Sequence, residues 1–130
     1  MNYPFQRESD SGLIIVSISV DTKFDLKMVL DTGASHTTID SNALYLSGYD
    51  LKDSTGVVDI ETANGIIETE LFEVKSFRSL GIEKRQFSIQ VYDFLAHGIY
   101  SDYNGLLGLD FLEGKTFCIN TLKNFISIKN

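Results

Sequence analysis

Val29-Leu30-Asp31-Thr32-Gly33-Ala34-Ser35 is the stretch on which the fold turns: an aspartate opens a tight turn directly behind an apolar strand. Gly33 permits the turn and lets a second backbone come close. Thr32 adds a hydroxyl on a stiff β-branched body, suited to locking a turn by hydrogen bonding. Ala34 is small, and Ser35 can bond back to a carboxylate. Asp, Thr and Gly are ordinary turn residues, so the triplet alone describes many turns. What sets this one apart is its surroundings.

Outward from Asp31, most segments carry strand signals: β-branched and aromatic residues in alternation, bounded by Gly, Asn, Asp and Ser. Strands are predicted over 12–20 and 24–30, the second leading into the Asp31 turn. Residues 57–62 and 66–74 flank Ala63-Asn64-Gly65 and read as a hairpin, because Asn and Gly both tolerate positive φ. Phe87, Ile89 and Val91 alternate with polar neighbours over 86–93, as in a half-buried strand. A last pair is predicted over 115–120 and 124–129. Helix signal is sparse: Asp40-Ser41-Asn42 is placed as the cap of a short helix to about Leu46. Asp110 is placed as the cap of a second, starting at Phe111 and closed by Gly114. Residues 75–104 stay unplaced. The sum is a small all-β, closed-barrel-like domain with one or two short helices. Residues 1–11 read as an N-terminal tail and 12–130 as the single domain.

A chain of 130 residues, 43% hydrophobic, holds one core of modest size. The formal net charge of −7 argues against nucleic acid or an anionic membrane, both of which are held through Lys and Arg. The longest apolar run, Leu13 to Val16, is far short of the ~20 residues of a membrane span. The first residues carry no apolar run of a signal peptide, so a soluble, cytoplasmic protein is expected. Cys118 is the single cysteine; within a strand it reads as a small buried hydrophobe. His36 and His97 stand alone, and no His/Cys/Asp cluster has metal-ligand spacing; no metal or cofactor is expected. Asp10-Ser11-Gly12 repeats the triplet pattern after a polar, proline-containing stretch, and reads as a plain turn before Leu13.

A second segment stands out near the C-terminal end: Gly105-Leu106-Leu107-Gly108-Leu109-Asp110-Phe111-Leu112. An apolar pair, a glycine and a helix start follow one another at once. A glycine there fits a strand against which another backbone packs closely. Asp31 thus sits ahead of a hairpin about thirty residues on, with the Leu-Leu-Gly segment after it.

Asp-Thr-Gly-Ala-Ser, the hairpin and Leu-Leu-Gly-Leu-Asp, in that order and spacing, resemble the retropepsin-type aspartic proteases, over roughly residues 12–128. The resemblance implies a ψ-shaped loop around the catalytic turn, threaded by the strand that bears Leu106 and Leu107. It implies Asp31 as the catalytic carboxylate and Thr32 as a cross-subunit hydrogen-bond lock. Gly33 would offer its carbonyl to the substrate backbone, with Ala34 and Ser35 completing the turn. Leu106, Leu107 and Gly108 would support it from beneath, the leucines partly lining substrate pockets. Thr62, Ala63, Asn64, Gly65 and Ile66 would form a flap over a bound peptide. The tip is not the glycine-rich apolar one of viral enzymes, and Ser35 stands where those often carry an acid.

Two carboxylates held side by side can activate water for peptide hydrolysis. Like charges that close share one proton, so one member acts as base and the other as acid. This chain supplies one such motif, so the expected partners are a second copy of itself and a peptide substrate. The acidic balance points to a groove that tolerates basic or neutral peptides. The strand 124–128 offers itself as a dimer edge. The alternative is a peptide-binding or dimerisation module on the same fold, without turnover.

Overall fold

The computed structural model describes residues 1–62, 65–98 and 102–129. Ala63 and Asn64, read as part of the flap, lie outside the described residues. In chain order the elements are β1 (Asn2–Pro4), β2 (Gln6–Arg7), β3 (Ile14–Val20), β4 (Phe24–Leu30), β5 (Thr38–Asp40) and α1 (Ser41–Leu46). They continue with β6 (Gly56–Thr62), β7 (Gly65–Ser79), β8 (Ile82–Tyr92), β9 (Gly105–Leu107), α2 (Leu109–Leu112), β10 (Thr116–Asn120) and β11 (Phe125–Lys129).

The main sheet runs β2-β3-β4-β9-β5-β8-β7-β6, and β7 pairs back onto β3. Strands β3, β4, β9, β5, β8 and β7 therefore close into a six-stranded barrel. The all-β, barrel-like expectation and its two short helices agree with this. Alternation supplies the core: Val16, Ile18 and Val20 from β3, Met28 and Leu30 from β4, Phe72, Val74 and Phe77 from β7. Phe111 of α2 joins it and is fully buried. Its ring lies 5.3 Å from that of Phe77 and 5.9 Å from that of Phe87, both edge-on, a favoured aromatic geometry. The helix is short, and this cluster holds it to the barrel.

Several sequence expectations are corrected. The residues left unplaced after 74 continue β7 and return as β8, across a two-residue turn of Leu80 and Gly81 with φ of 51° and 71°. Both central residues take positive φ, as in the turn that matches strand twist; leucine there hides the signal. The N-terminal stretch is no free tail: β1 pairs with β11, and β2 with β3. β11 lies between β1 and β10 in a three-stranded sheet, so it offers no edge to a second copy, whereas β10 does. Cys118 on β10 is exposed, not buried. Asp40 precedes α1 without capping it by its side chain; its Oδ1 instead accepts from Phe94 N at 3.0 Å. No helix is long and apolar enough to cross a membrane among the described residues.

The turn between β3 and β4 is pinned to β7. Tyr49 Oη donates to Asp21 Oδ2 at 2.6 Å and accepts from Lys75 N at 3.1 Å, while Ser76 N donates to Asp21 Oδ1 at 3.1 Å. Burial, then the hydrogen bond to Asp21, pushes the Tyr49 phenol up to about 12 from 10.0. The folded state thus favours the protonated phenol. Its contribution to stability is complete below pH 10 and is lost as pH climbs from about 10 towards about 12. Tyr49→Phe leaves Lys75 N and Asp21 short of a partner, and is expected to cost about 1–3 kcal/mol at neutral pH. In urea unfolding the gap between wild type and Tyr49→Phe should shrink between pH 8 and pH 11.

Candidate active site

β4 carries the chain straight into the Asp31 turn. Asp31 N donates to Leu107 O at 3.0 Å and Ala34 N to Asp31 O at 3.1 Å, which closes the turn. Gly33 N donates to Asp31 Oδ1 at 2.9 Å, the Asx pattern that an aspartate brings to a turn. That bond holds the carboxylate in place and leaves Oδ2 with no hydrogen bond among the described residues. Asp31 is half-buried, while Thr32 and Gly33 are exposed. The Thr32 hydroxyl makes no hydrogen bond among the described residues.

β9 threads between β4 and β5, parallel to the first and antiparallel to the second. This is the ψ crossing that the resemblance implies. It is possible only because two residues lack a side chain. A Cβ on Gly105 would lie 2.2 Å from Thr38 O, and one on Gly108 2.7 Å from His36 C and 2.9 Å from Ala34 O. Gly108 thus lets the helix start rest on the backbone of the turn, and Leu109 N donates to Ala34 O at 2.9 Å. Leu107 points into the core and is fully buried, and its carbonyl is the one that accepts from Asp31 N. Leu106 is half-buried, faces the other side, and pairs with Val29.

Asp110 does more than the cap read from sequence. Gly108 is the N-cap of α2, and Asp110 lies inside its first turn. Its Oδ1 accepts from Thr37 N at 3.0 Å, Thr37 Oγ1 at 2.8 Å and Phe111 N at 2.9 Å, and its Oδ2 from Thr37 N at 3.0 Å. Thr37 Oγ1 in turn accepts from Gly108 N at 3.1 Å. The carboxylate thereby ties α2 to the far end of the Asp31 loop. Sequence reading missed both Thr37 and this role, because an acid in a helix's first turn has the same signature as a cap. Asp110→Ala removes a charged acceptor from a half-buried site and is expected to cost about 2–3 kcal/mol. Asp110→Asn keeps an acceptor oxygen and should recover most of that loss, as urea midpoints would record.

Ser35 does not reach a carboxylate; its Oγ lies 3.0 Å from His36 Nδ1. Ser35, His36, Leu109 and Phe117 help line a hollow of about 500 Å³ between the turn and β10. The β6–β7 hairpin runs in unbroken register from Gly56 opposite Leu71 to Thr62 opposite Gly65. One face carries Asp59 directly opposite Glu68, with Glu61 and Glu70 beside them; the other carries Val58, Ile60 and Ile67. Ile66, near the tip, is 72% exposed. No group of three or more His, Cys, Asp or Glu is placed to hold a metal among the described residues.

Residues 16–111 match the model of a protein family described as aspartyl protease, and the chain belongs to that family. Its fold is that of a solved retropepsin-like aspartic protease from Rickettsia conorii. The two share 23% sequence identity and a TM-score of 0.71, over 97% of this chain and 88% of the other. No curated protein matches the chain.

Proposed function

We propose that two copies of this chain form an aspartic endopeptidase, with the two Asp31 carboxylates meeting across a two-fold axis. The observation that carries this reading is the setting of Asp31. One carboxylate oxygen is fixed by Gly33 N at 2.9 Å, the other is unbonded among the described residues, and the turn around it is exposed at Thr32 and Gly33. A self-complementary dimer contact needs such an exposed patch. The unpaired edge of β10, beside the hollow next to the turn, supports the same face as the contact.

In the assembled dyad the two carboxylates share one proton, because both cannot be ionised at such short range. The ionised member takes a proton from water as the water attacks the scissile carbonyl, and the protonated member donates to the carbonyl oxygen. Thr32 of each copy locks the other's turn, and the Gly33 carbonyl accepts from the substrate backbone. The peptide lies extended, adding strand-like hydrogen bonds. The tip at Thr62, Gly65 and Ile66 closes over it as a flap. Residues 12–130 act as one catalytic domain, to which the first two strands add.

The test is cleavage of a diverse peptide library followed by mass spectrometry over pH 4 to 7, for wild type and Asp31→Asn, at concentrations where sedimentation finds a dimer. Cleavage present in wild type and lost in the variant supports the reading. A strict monomer, or a dimer that cleaves nothing, favours a binding module.

A further inference from the structure

Six polar residues are buried among the described residues: Thr37, Thr38, Ser47, Thr69, Ser79 and Gln90. Four have side-chain partners. Thr37 is held by Asp110 and Gly108. Ser47 donates to Ala43 O at 2.9 Å, Thr69 to Val58 O at 3.3 Å and Ser79 to Ser17 O at 2.8 Å. The side chains of Thr38 and Gln90 make no hydrogen bond among the described residues. Yet no fully buried side-chain nitrogen or oxygen lacks a partner among the described residues. The hydroxyl of Thr38 and the amide of Gln90 therefore reach the surface, on side chains otherwise enclosed.

These two are neighbours, Thr38 on β5 standing beside Gln90 on β8. Thr38 also stands beside Leu106, and Leu106 beside Val29. The four make one row across adjacent strands. Their alternate neighbours Met28, Leu30, Leu107, Ile39, Ile89 and Val91 all enter the core, so the row faces the opposite way. Val29 stands two residues before Asp31, so the row begins at the end of β4 that carries the turn. At about 4.8 Å between strands, Thr38 is displaced about 10 Å from Val29 and Gln90 about 14 Å. An extended peptide advances about 3.4 Å per residue.

We infer that Thr38 and Gln90 form the polar floor of a substrate pocket that selects an uncharged hydrogen-bonding side chain, Asn, Gln, Ser or Thr, within about four residues of the scissile bond. This rests on the protease reading above. The amide of Gln90 both donates and accepts, and the Thr38 hydroxyl does the same, so a substrate carboxamide can satisfy both. Val29 and Leu106 supply apolar walls. A substrate with an aliphatic side chain there strips water from two polar heads and returns no hydrogen bond, the condition under which a polar pocket discriminates most.

The same peptide library tests it with Thr38→Val and Gln90→Leu, which keep volume and remove hydrogen-bonding groups, and with Gln90→Glu. Wild type should favour Asn, Gln, Ser or Thr over Leu or Val at one position by about tenfold. That preference should vanish or invert in Thr38→Val and Gln90→Leu, and move to Lys and Arg in Gln90→Glu, a gain that a misfolded variant cannot give. Asp31-dependent cleavage with an apolar or charged preference at every position, or a polar preference untouched by the three variants, overturns the inference while the protease reading stands. If Asp31-dependent cleavage is absent, the protease reading fails. The library is then offered on an array for binding: amide-bearing peptides retained by wild type and lost by Gln90→Leu support the pocket, and indifferent or absent retention overturns it.

Discussion

Asp31→Asn is expected to lower peptide cleavage by at least about ten-thousandfold, because one residue supplies both the acid and the base, each worth about 10²–10⁴. In a dimer of identical chains the substitution removes both carboxylates at once. The amide cannot take a proton from water, and no shared proton remains to polarise the carbonyl. The fold should barely notice: the amide oxygen can still accept from Gly33 N, now 2.9 Å from Asp31 Oδ1, and the half-buried side chain keeps its shape. Stability should stay within about 0.5 kcal/mol, the usual range for a substitution that breaks no buried contact. Peptide cleavage measured by mass spectrometry, beside a thermal melt of the same samples, separates the two effects. Ser35→Ala should leave cleavage near wild type, since Ser35 Oγ bonds to His36 and not to Asp31. Turnover by Asp31→Asn comparable with wild type would remove Asp31 from the chemistry.

Gly105→Ala is expected to destabilise the protein by more than about 3 kcal/mol. The added Cβ would sit 2.2 Å from Thr38 O, 3.0 Å from Met28 Cε and 3.1 Å from Ile39 Cα. The methionine end can swing aside, but two of the three atoms are backbone. To relieve the overlap, β9 must move off β5, and the pairs Thr38–Leu106 and Ile39–Gly105 must open. Those pairs hold the strand that threads the Asp31 loop, so activity should fall along with stability. Against a total of about 5–15 kcal/mol for a domain, such a loss is readily seen in urea. Gly56→Ala is the control: its Cβ would meet only Leu71 Cδ1, at 3.8 Å, and the change should stay below about 1 kcal/mol. Equal midpoints for Gly105→Ala and wild type would mean that the two backbones do not cross at this register.

Much of the architecture was legible residue by residue. Period-two alternation placed strands at 24–30, 57–62 and 86–93 close to where β4, β6 and β8 lie, because one face of each is more enclosed than the other and the pattern reports it. The Asp31 turn and the threading Leu106-Leu107 strand were legible because each depends on glycines that nothing else explains. The failures also have causes. The Leu80-Gly81 turn lacked the usual residue at its first positive-φ position, so β7 and β8 were not joined. Residues 2–7 look like a tail in the sequence because strands of two or three residues carry too little pattern. Leu107 was given a pocket-lining part, yet its parity along β9 sends it to the core and leaves Leu106 for the open side.

What the sequence by itself determined is the local chemistry: an aspartate at the mouth of a tight turn, glycines where backbones meet, and a single carboxylate motif that calls for a second copy. These are properties of neighbouring residues, and short-range sterics and hydrogen bonding decide them. Only the tertiary structure decided which distant groups meet. It brought Asp110 to Thr37 across a separation of 73 residues. It put Thr38 beside Gln90, and it enclosed β11 between β1 and β10. Such pairings depend on strand order and register, which are fixed when the whole barrel closes around one core.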